Sequence, residues 1–378
     1  MSSTLTKSLT TPEGLLSIVP RTVLENIQFR QELHTYLAKD TNAQKVFLEF
    51  CRRKPQIAYD TCLWTFAIKN KPGLRNYPFI LRPAQIEVVD SLTDAIENGH
   101  DLLIDKSRDE GATEIITKLF AVWATLWPES LFLVGSRKEE YVDSTSRIEG
   151  NRVVGSARTL FHKIMYTWAT CPVWMRPQLI KSHMHVELPE MGSIIDGEAT
   201  NDNFGAGDRR LALLLDEFGA LDPISATAIR NRVADVSNCT IYCSTHYYGI
   251  GHSFGKLRFS GKVKVVTLPW YKNPEKNKGL YKSPDLNVIE IYDPKHYQDK
   301  HPELGVLPKT FKLSDLEVSL LGINTSCSFV ADGLGKWRSP WYDVEALRRD
   351  PRDLAQNVDM NAAGSGDMFF DPIILQRI

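Results

Sequence analysis

The spacing of apolar residues changes twice along the chain. Over residues 20 to 70 it follows a helical period, as in Val46-Phe47-Phe50 and Trp64-Phe66-Ile68, and the turn-rich stretch from Lys69 to Pro78 closes that region. From Pro83, well placed as a first helical residue, AQIEVVDSLTDAIEN keeps the helical period until Gly99 stops it. The texture then shifts. Short continuous apolar runs at Leu102 to Ile104, Leu131 to Val134, Leu211 to Leu215 and Thr240 to Cys243 alternate with segments of helical period near 112 to 127, 137 to 149 and 223 to 235. That alternation predicts an α/β fold with a mainly parallel sheet covered by helices on both faces. Beyond Pro269 the chain becomes polar and turn-rich; Ser314 and Glu317 form a capping box, and a further helix is predicted from Trp341 to Arg349. From Asp350 through Gly364-Ser365-Gly366 to MFFDP the residues read as a linker reaching a strand. The expected organisation is a helical appendage at 1–74, an α/β core at 75–270, a C-terminal subdomain at 271–350 and a linker at 351–378.

Composition narrows this without redirecting it. The 378 residues hold 43% hydrophobic and 24% charged side chains, the profile of a globular protein. Apolar stretches such as Leu119 to Trp127 fall well short of the roughly 20 residues that span a bilayer, and MSSTLTKSLT has no apolar signal core, so a cytoplasmic protein with no membrane partner is expected. The 45 basic and 46 acidic residues balance, so any nucleic-acid contact must come from a local patch. Six scattered cysteines with no CxxC pair point to reduced core thiols.

Candidate chemistry lies where the first apolar run ends. DKSRDEGAT follows Leu102 to Ile104 and precedes a helical segment. Strand, glycine-bearing loop and helix N-terminus form the frame of a phosphate-binding loop, because unpaired N–H groups and the helix dipole face an incoming anion. The spelling departs from GxxxxGK[ST]: aligned on Gly111 and Thr113, Lys106 stands at the first glycine and Ala112 where the lysine belongs. Lys106 and Arg108 can restore the missing charge from the start of the loop, leaving Thr113 to reach Mg²⁺. Asp109 and Glu110 oppose it, since a carboxylate about 4 Å from a phosphate costs roughly 4 kcal/mol at an effective dielectric near 20. Both must therefore point away from a bound nucleotide. About a hundred residues on, LALLLDEFGALD describes a buried strand that delivers Asp216 and Glu217 at its C-terminal edge, where open α/β sheets bind ligands. In a phosphate-loop ATPase the first carboxylate holds Mg²⁺ and the second orients the attacking water.

These motifs, in this order, resemble the ATPase half of the large terminase subunit, the DNA-packaging motor of tailed bacteriophages. The resemblance runs from about Trp64 to the C-terminus through YPFILRPAQ, DKSRDEGAT, LVGSRKEEYVDS, LFHKIMYTWATCPVWMRP, GSIIDGEATNDNFGAGDRRLALLLDEFGALD, VVTLPWYKNP and RSPWYDVEALRRDPRDLAQ. It implies a P-loop NTPase of the additional-strand catalytic-glutamate type, with ATP and Mg²⁺ as ligands. Gln85 is then the reader of the adenine, and Lys106, Ser107, Arg108, Gly111, Ala112 and Thr113 form the phosphate loop, whose displaced lysine is a variant found in that family. Asp216 and Thr113 hold Mg²⁺, Glu217 is catalytic, and Ser244 and Thr245 form a coupling motif in which His246 replaces the family's frequent proline. The implied partners are double-stranded DNA, a portal protein on a procapsid and a small terminase subunit, with the working form a homo-oligomeric ring, a pentamer, in which Arg209 or Arg210 completes a neighbour's site.

Other readings stay open. A catalytically silent terminase-like assembly or DNA-binding module would keep this fold with a decayed site, and a helicase-type translocase would share the loop; Lys106 and the Asp216-Glu217 pair speak against the silent module. Large terminases continue into a nuclease domain. This chain stops where that domain's first strand is expected, and Asp359, Asp367 and Asp371 lie in the expected linker, so nuclease activity is not expected. Arg137 divides between a phosphate or DNA contact and a helix-start ion pair. His183 and His185 alternate along an expected strand without further ligands at metal spacing. GKLRFSGKVKVV, with Lys256, Arg258, Lys262 and Lys264 and the interleaved Phe254 and Phe259, reads either as an edge strand protected by lysines or as a salt-sensitive contact to the DNA backbone.

Overall fold

The computed structural model describes residues 9–67, 73, 75–201, 203–285, 288–312, 321–322 and 335–365. The Ser314–Glu317 capping box, Cys327, Asp367 and Asp371 lie outside the described residues. The chain divides into two compact units. One holds the residues up to Ile104, Gly111–Ser244 and Leu257–Val266; the other holds Asp105–Glu110, Thr245–Lys256 and the residues from Thr267 onward.

An eight-stranded sheet forms around the predicted apolar runs. Its strands are β1 Leu102–Lys106, β2 Leu131–Ser136, β3 Ile180–Ser182, β4 His185–Leu188, β5 Ser193–Ala199, β6 Ala212–Asp216, β7 Thr240–Ser244 and β8 Lys264–Leu268, in the spatial order β8-β1-β7-β6-β2-β5-β4-β3. The pairs β7/β6, β6/β2 and β2/β5 are parallel. The pairs β5/β4 and β4/β3 are antiparallel. Strands β1, β6 and β7 are buried at every position, which is why their sequences are continuous apolar runs with no alternation. The helices Pro83–Asn98, Ala112–Leu126, Leu160–Thr170 and Pro223–Val236 accompany the sheet. Ala112–Leu126 is enclosed almost all round, with Phe120 stacked on Phe132 of β2 at 4.2 Å. Five cysteines, at 51, 62, 171, 239 and 243, are free and buried. Burial pushes the Cys171 and Cys239 thiols up to about 12, so they behave as core residues.

Four local expectations are corrected. Trp64–Phe66 is a strand paired antiparallel with Asn76–Pro78, so its apolar spacing reflects alternation, while helices at Pro12–Ile18, Val23–Leu37, Thr41–Arg53 and Gln56–Thr61 precede it. The segment 137 to 149 holds only a short helix, Glu139–Val142, and then a hairpin of Arg147–Glu149 with Arg152–Val154. His183 and His185 do not share a strand: a turn through Met184, at φ 51, separates β3 from β4. In the last corrected segment, Ser253–Arg258 is helical, and only Lys264–Leu268 is the edge strand.

In the second unit a four-stranded antiparallel sheet runs in the order Thr310–Lys312, Val288–Ile291, Tyr281–Asp285, Trp337–Arg338. Tyr281, Ile289, Ile291, Tyr297 and Phe311 form its core. A second cluster joins Trp270, Tyr342, Leu354 and Val358, with the Trp270 and Tyr342 rings stacked at 5.0 Å. The predicted helix near 341 is Pro340–Arg348. Helices Pro351–Asn357 and Ala362–Ser365 follow it; Asp350 caps the start of the first by accepting from the Asp353 amide at 2.9 Å, and in the second the Ser365 hydroxyl donates to the Ala362 carbonyl at 3.1 Å. Asp359 accepts bonds from Lys336 at 2.7 Å and Tyr342 at 2.8 Å, so it serves packing there.

Candidate nucleotide site

The loop DKSRDEGAT leaves β1 and enters the helix Ala112–Leu126. Gly111 is that helix's N-cap at φ 81, a left-handed conformation, and no side chain caps it. A Cβ there would meet Gln85 Nε2 at 3.1 Å, so position 111 demands glycine for its backbone angle and also because Gln85 packs against it. The uncapped first turn of a 15-residue helix offers N–H groups and the positive dipole end to an anion. Gln85 is buried, its carbonyl accepting from the Arg82 amide at 3.0 Å in a capping box that fixes its rotamer beside Gly111.

Thr113 Oγ1 donates to Asp216 Oδ1 at 2.8 Å, joining the second residue of that helix to the last residue of β6 across 103 positions of sequence. A hydroxyl and a largely buried carboxylate in contact form a hard oxygen pair of the kind Mg²⁺ prefers, so these residues would suit that ion. Glu217 follows at φ 54, the left-handed region that a side chain of its size enters at a cost of about 1 to 2 kcal/mol. This turn takes Glu217 out of the strand and starts the short helix Phe218–Ala220. Ser244, ending β7, accepts from the Gly219 amide at 2.9 Å, and Phe218 packs edge-on against Tyr242 at 5.0 Å. The turn carrying Glu217 is therefore held from the neighbouring strand.

The two arginines differ. Arg209 is exposed, whereas Arg210 pairs with Asp196 at 2.7 Å and with Asp208 at 3.0 Å. Asp196 also accepts from His185 at 2.6 Å, while His183 pairs with Glu139 at 2.8 Å, so the two histidines have separate carboxylate partners. Arg137 is exposed, its guanidinium lying 5.3 Å from the Tyr141 ring. Lys264 pairs with Asp94 at 2.8 Å, and Phe259 is exposed.

The front half of the loop belongs to the second unit. Asp105 and His246 form a buried pair at 3.2 Å, so the histidine that stands where proline was expected is bonded to the start of the loop. Phe254 is buried with its ring 5.2 Å from that of His246. Lys106 and Thr245 are buried. The Ser107 hydroxyl donates to the Val358 carbonyl at 2.6 Å and accepts from the Trp270 amide at 3.1 Å; its own amide bonds Leu268 O at 2.9 Å. The Arg108 amide donates to Asn357 O at 2.7 Å. Asp109 sits at φ 62, in the left-handed region. Glu110, buried, accepts from Lys276 at 2.5 Å and from Asn273 at 3.2 and 3.3 Å. The contacts of Glu110 with Asn273 and Lys276, and of Arg210 with Asp196, are not legible in the sequence; only the requirement that Glu110 turn away from phosphate hints at a partner.

No protein-family model and no curated protein sequence matches the chain. Among solved structures it is similar to the large terminase of bacteriophage HK97, with 13% identity and a TM-score of 0.43 over 75% of this chain and 51% of that one. The large terminase of a thermophilic bacteriophage matches with 11% identity and a TM-score of 0.39 over 51% of this chain and 46% of that one. The same thermophilic phage protein in complex with ADP matches with 12% identity and a TM-score of 0.39, over the same shares of the two chains. The chain thus spans about half the length of the solved proteins it matches. Among the described residues no helix is long and apolar enough to cross a membrane.

Proposed function

We propose that this chain is a Mg²⁺-dependent ATPase, the motor portion of a phage large terminase that moves double-stranded DNA into a procapsid. One observation carries the reading: the Thr113–Asp216 hydrogen bond pairs the second residue after the glycine cap of an anion-ready helix with the carboxylate at the end of a central strand. Such an arrangement supports phosphoryl transfer, where catalysis rests on positioning and on electrostatic stabilisation.

Lys106 and the N–H groups from Gly111 onward bind the phosphates, and Gln85 reads the base. Thr113 and Asp216 hold Mg²⁺, which when bound neutralises charge on the phosphate oxygens. Glu217 accepts the proton of the attacking water as the γ-phosphoryl group leaves. Thr245 and its neighbour Ser244 pass the change of nucleotide state onward to the parts that grip DNA. Arg209, exposed, is the better of the two arginines to reach a neighbouring subunit's site in a pentameric ring, since Arg210 already has partners. The portal, the small terminase subunit and the host cytoplasm complete the setting, and the organisation into 1–74, 75–270, 271–350 and 351–378 is retained as part of this proposal.

ATP turnover measured with and without DNA and the small subunit tests it. Turnover that rises with DNA supports a packaging motor. Nucleotide binding with no turnover in any condition supports the silent assembly module instead.

A further inference from the structure

Glu110 poses a physical problem for a phosphate loop. It is buried at the last position before the helix-capping Gly111, and a free carboxylate there would compete with phosphate for the same N–H groups and for Lys106. Within the second unit its charge is met in full. Lys276 Nζ contacts Glu110 Oε1, and Asn273 Nδ2 lies within hydrogen-bonding distance of both carboxylate oxygens. The receiving groups are themselves fixed. Asn273 Oδ1 accepts from the Glu275 amide at 3.1 Å, the Lys276 carbonyl accepts from Ser339 at 2.7 Å, and the Lys276 ammonium lies 4.7 Å from the Trp341 ring centroid. Lys276 also donates to the Arg108 carbonyl at 3.0 Å, so one ammonium grips the loop at two places.

We propose that Lys276 and Asn273 are positioning residues of the nucleotide site: they neutralise and hold Glu110, so that the loop presents donors and not a carboxylate to phosphate. Nucleotide affinity then depends on Lys276 and Asn273, and by linkage a bound nucleotide stabilises the Glu110–Lys276 contact. The inference rests on the ATPase reading.

The test is equilibrium binding of ATPγS with Mg²⁺ to the full chain and to Lys276→Met, Glu110→Gln and the double variant, with thermal unfolding recorded on each. Lys276→Met is expected to weaken binding at least tenfold, Glu110→Gln to bind within about threefold of the parent, and the double variant to recover to that level because the harmful carboxylate is gone. A Lys276 that merely braces the fold predicts a loss that Glu110→Gln does not rescue, and that result overturns the proposal. So does a Lys276→Met protein that binds as the parent does. If Lys276→Met does not fold, Lys276→Gln, which keeps a donor without the charge, supplies the same comparison. A parent chain that binds no ATPγS sinks the ATPase reading and this inference together; a parent that binds while the variants show no rescue sinks this inference alone.

Discussion

Ser244 Oγ accepts the amide proton of Gly219 at 2.9 Å, so the last residue of β7 holds the turn that begins at Glu217. The bond is buried and lies two residues from the proposed catalytic carboxylate. Ser244→Ala would leave the Gly219 N–H without its acceptor, at a cost of about 1 to 3 kcal/mol. A stability lowered by that amount in denaturant titration, with turnover reduced because the turn loosens, is the expected outcome; an unchanged midpoint would show that the amide has found another acceptor.

The strain at Glu217 separates stability from activity. Glu217→Gly relieves a left-handed φ of 54 and is expected to stabilise the fold by about 1 kcal/mol while abolishing turnover. Glu217→Gln should bind nucleotide like the parent and hydrolyse none of it. Turnover at the parental rate in either variant would place the catalytic carboxylate elsewhere.

Lys106, Asp216 and Thr245 divide the remaining roles. Lys106→Ala is expected to weaken nucleotide affinity about ten- to a hundredfold, the equivalent of one charge-assisted bond to phosphate. Asp216→Asn should impair binding and turnover together. Thr245→Ala should hydrolyse ATP but move DNA poorly, a combination read by pairing a phosphate-release assay with a translocation assay.

The neighbouring arginines are expected to respond in opposite ways. Arg210→Ala strips Asp196 of a partner at 2.7 Å and should destabilise the protein by about 1 to 3 kcal/mol, below the roughly 3 to 5 of a fully buried pair because Asp196 keeps some solvent access. Arg209→Ala should leave stability unchanged and lower turnover only in the assembled ring, by up to about 10³-fold if it acts in trans. Mixing Arg209→Ala with Glu217→Gln subunits checks this: activity that fails to recover in mixed rings removes Arg209 from the mechanism.

Acid should weaken the first unit. Burial lowers the His34 pKa from 6.5 to about 4, and its ring bonds the Thr61 carbonyl at 2.7 Å. The unfolded chain therefore binds the extra proton between pH 6.5 and 4 while the folded chain does not. The neutral histidine's contribution is complete above pH 6.5 and is lost as pH falls toward 4, by a total on the order of 3 kcal/mol. Denaturation midpoints across that range should slope less in His34→Gln, which keeps a donor for Thr61 but does not titrate.

Local spacing was enough to decide the elements whose burial is uniform. Four unbroken apolar runs between helical segments pointed to buried strands of a largely parallel sheet, and DKSRDEGAT and LLLDEF could be located at strand ends because such runs stop where polar residues begin. Where the period was ambiguous over a few residues, as in Trp64–Phe66, or where a turn interrupted it, as at Met184, spacing misassigned the element. Partnership across long sequence separation was settled only in three dimensions. Thr113 meets Asp216 because β6 lies deep in the sheet; Glu110 meets Lys276 because the chain returns more than 160 residues later; and Arg210, indistinguishable from Arg209 in sequence, is drawn to Asp196 by the strand β5 that carries it. A carboxylate's charge is written in the sequence, but which cation neutralises it is a property of packing, and no periodicity along one segment records a contact that belongs to two.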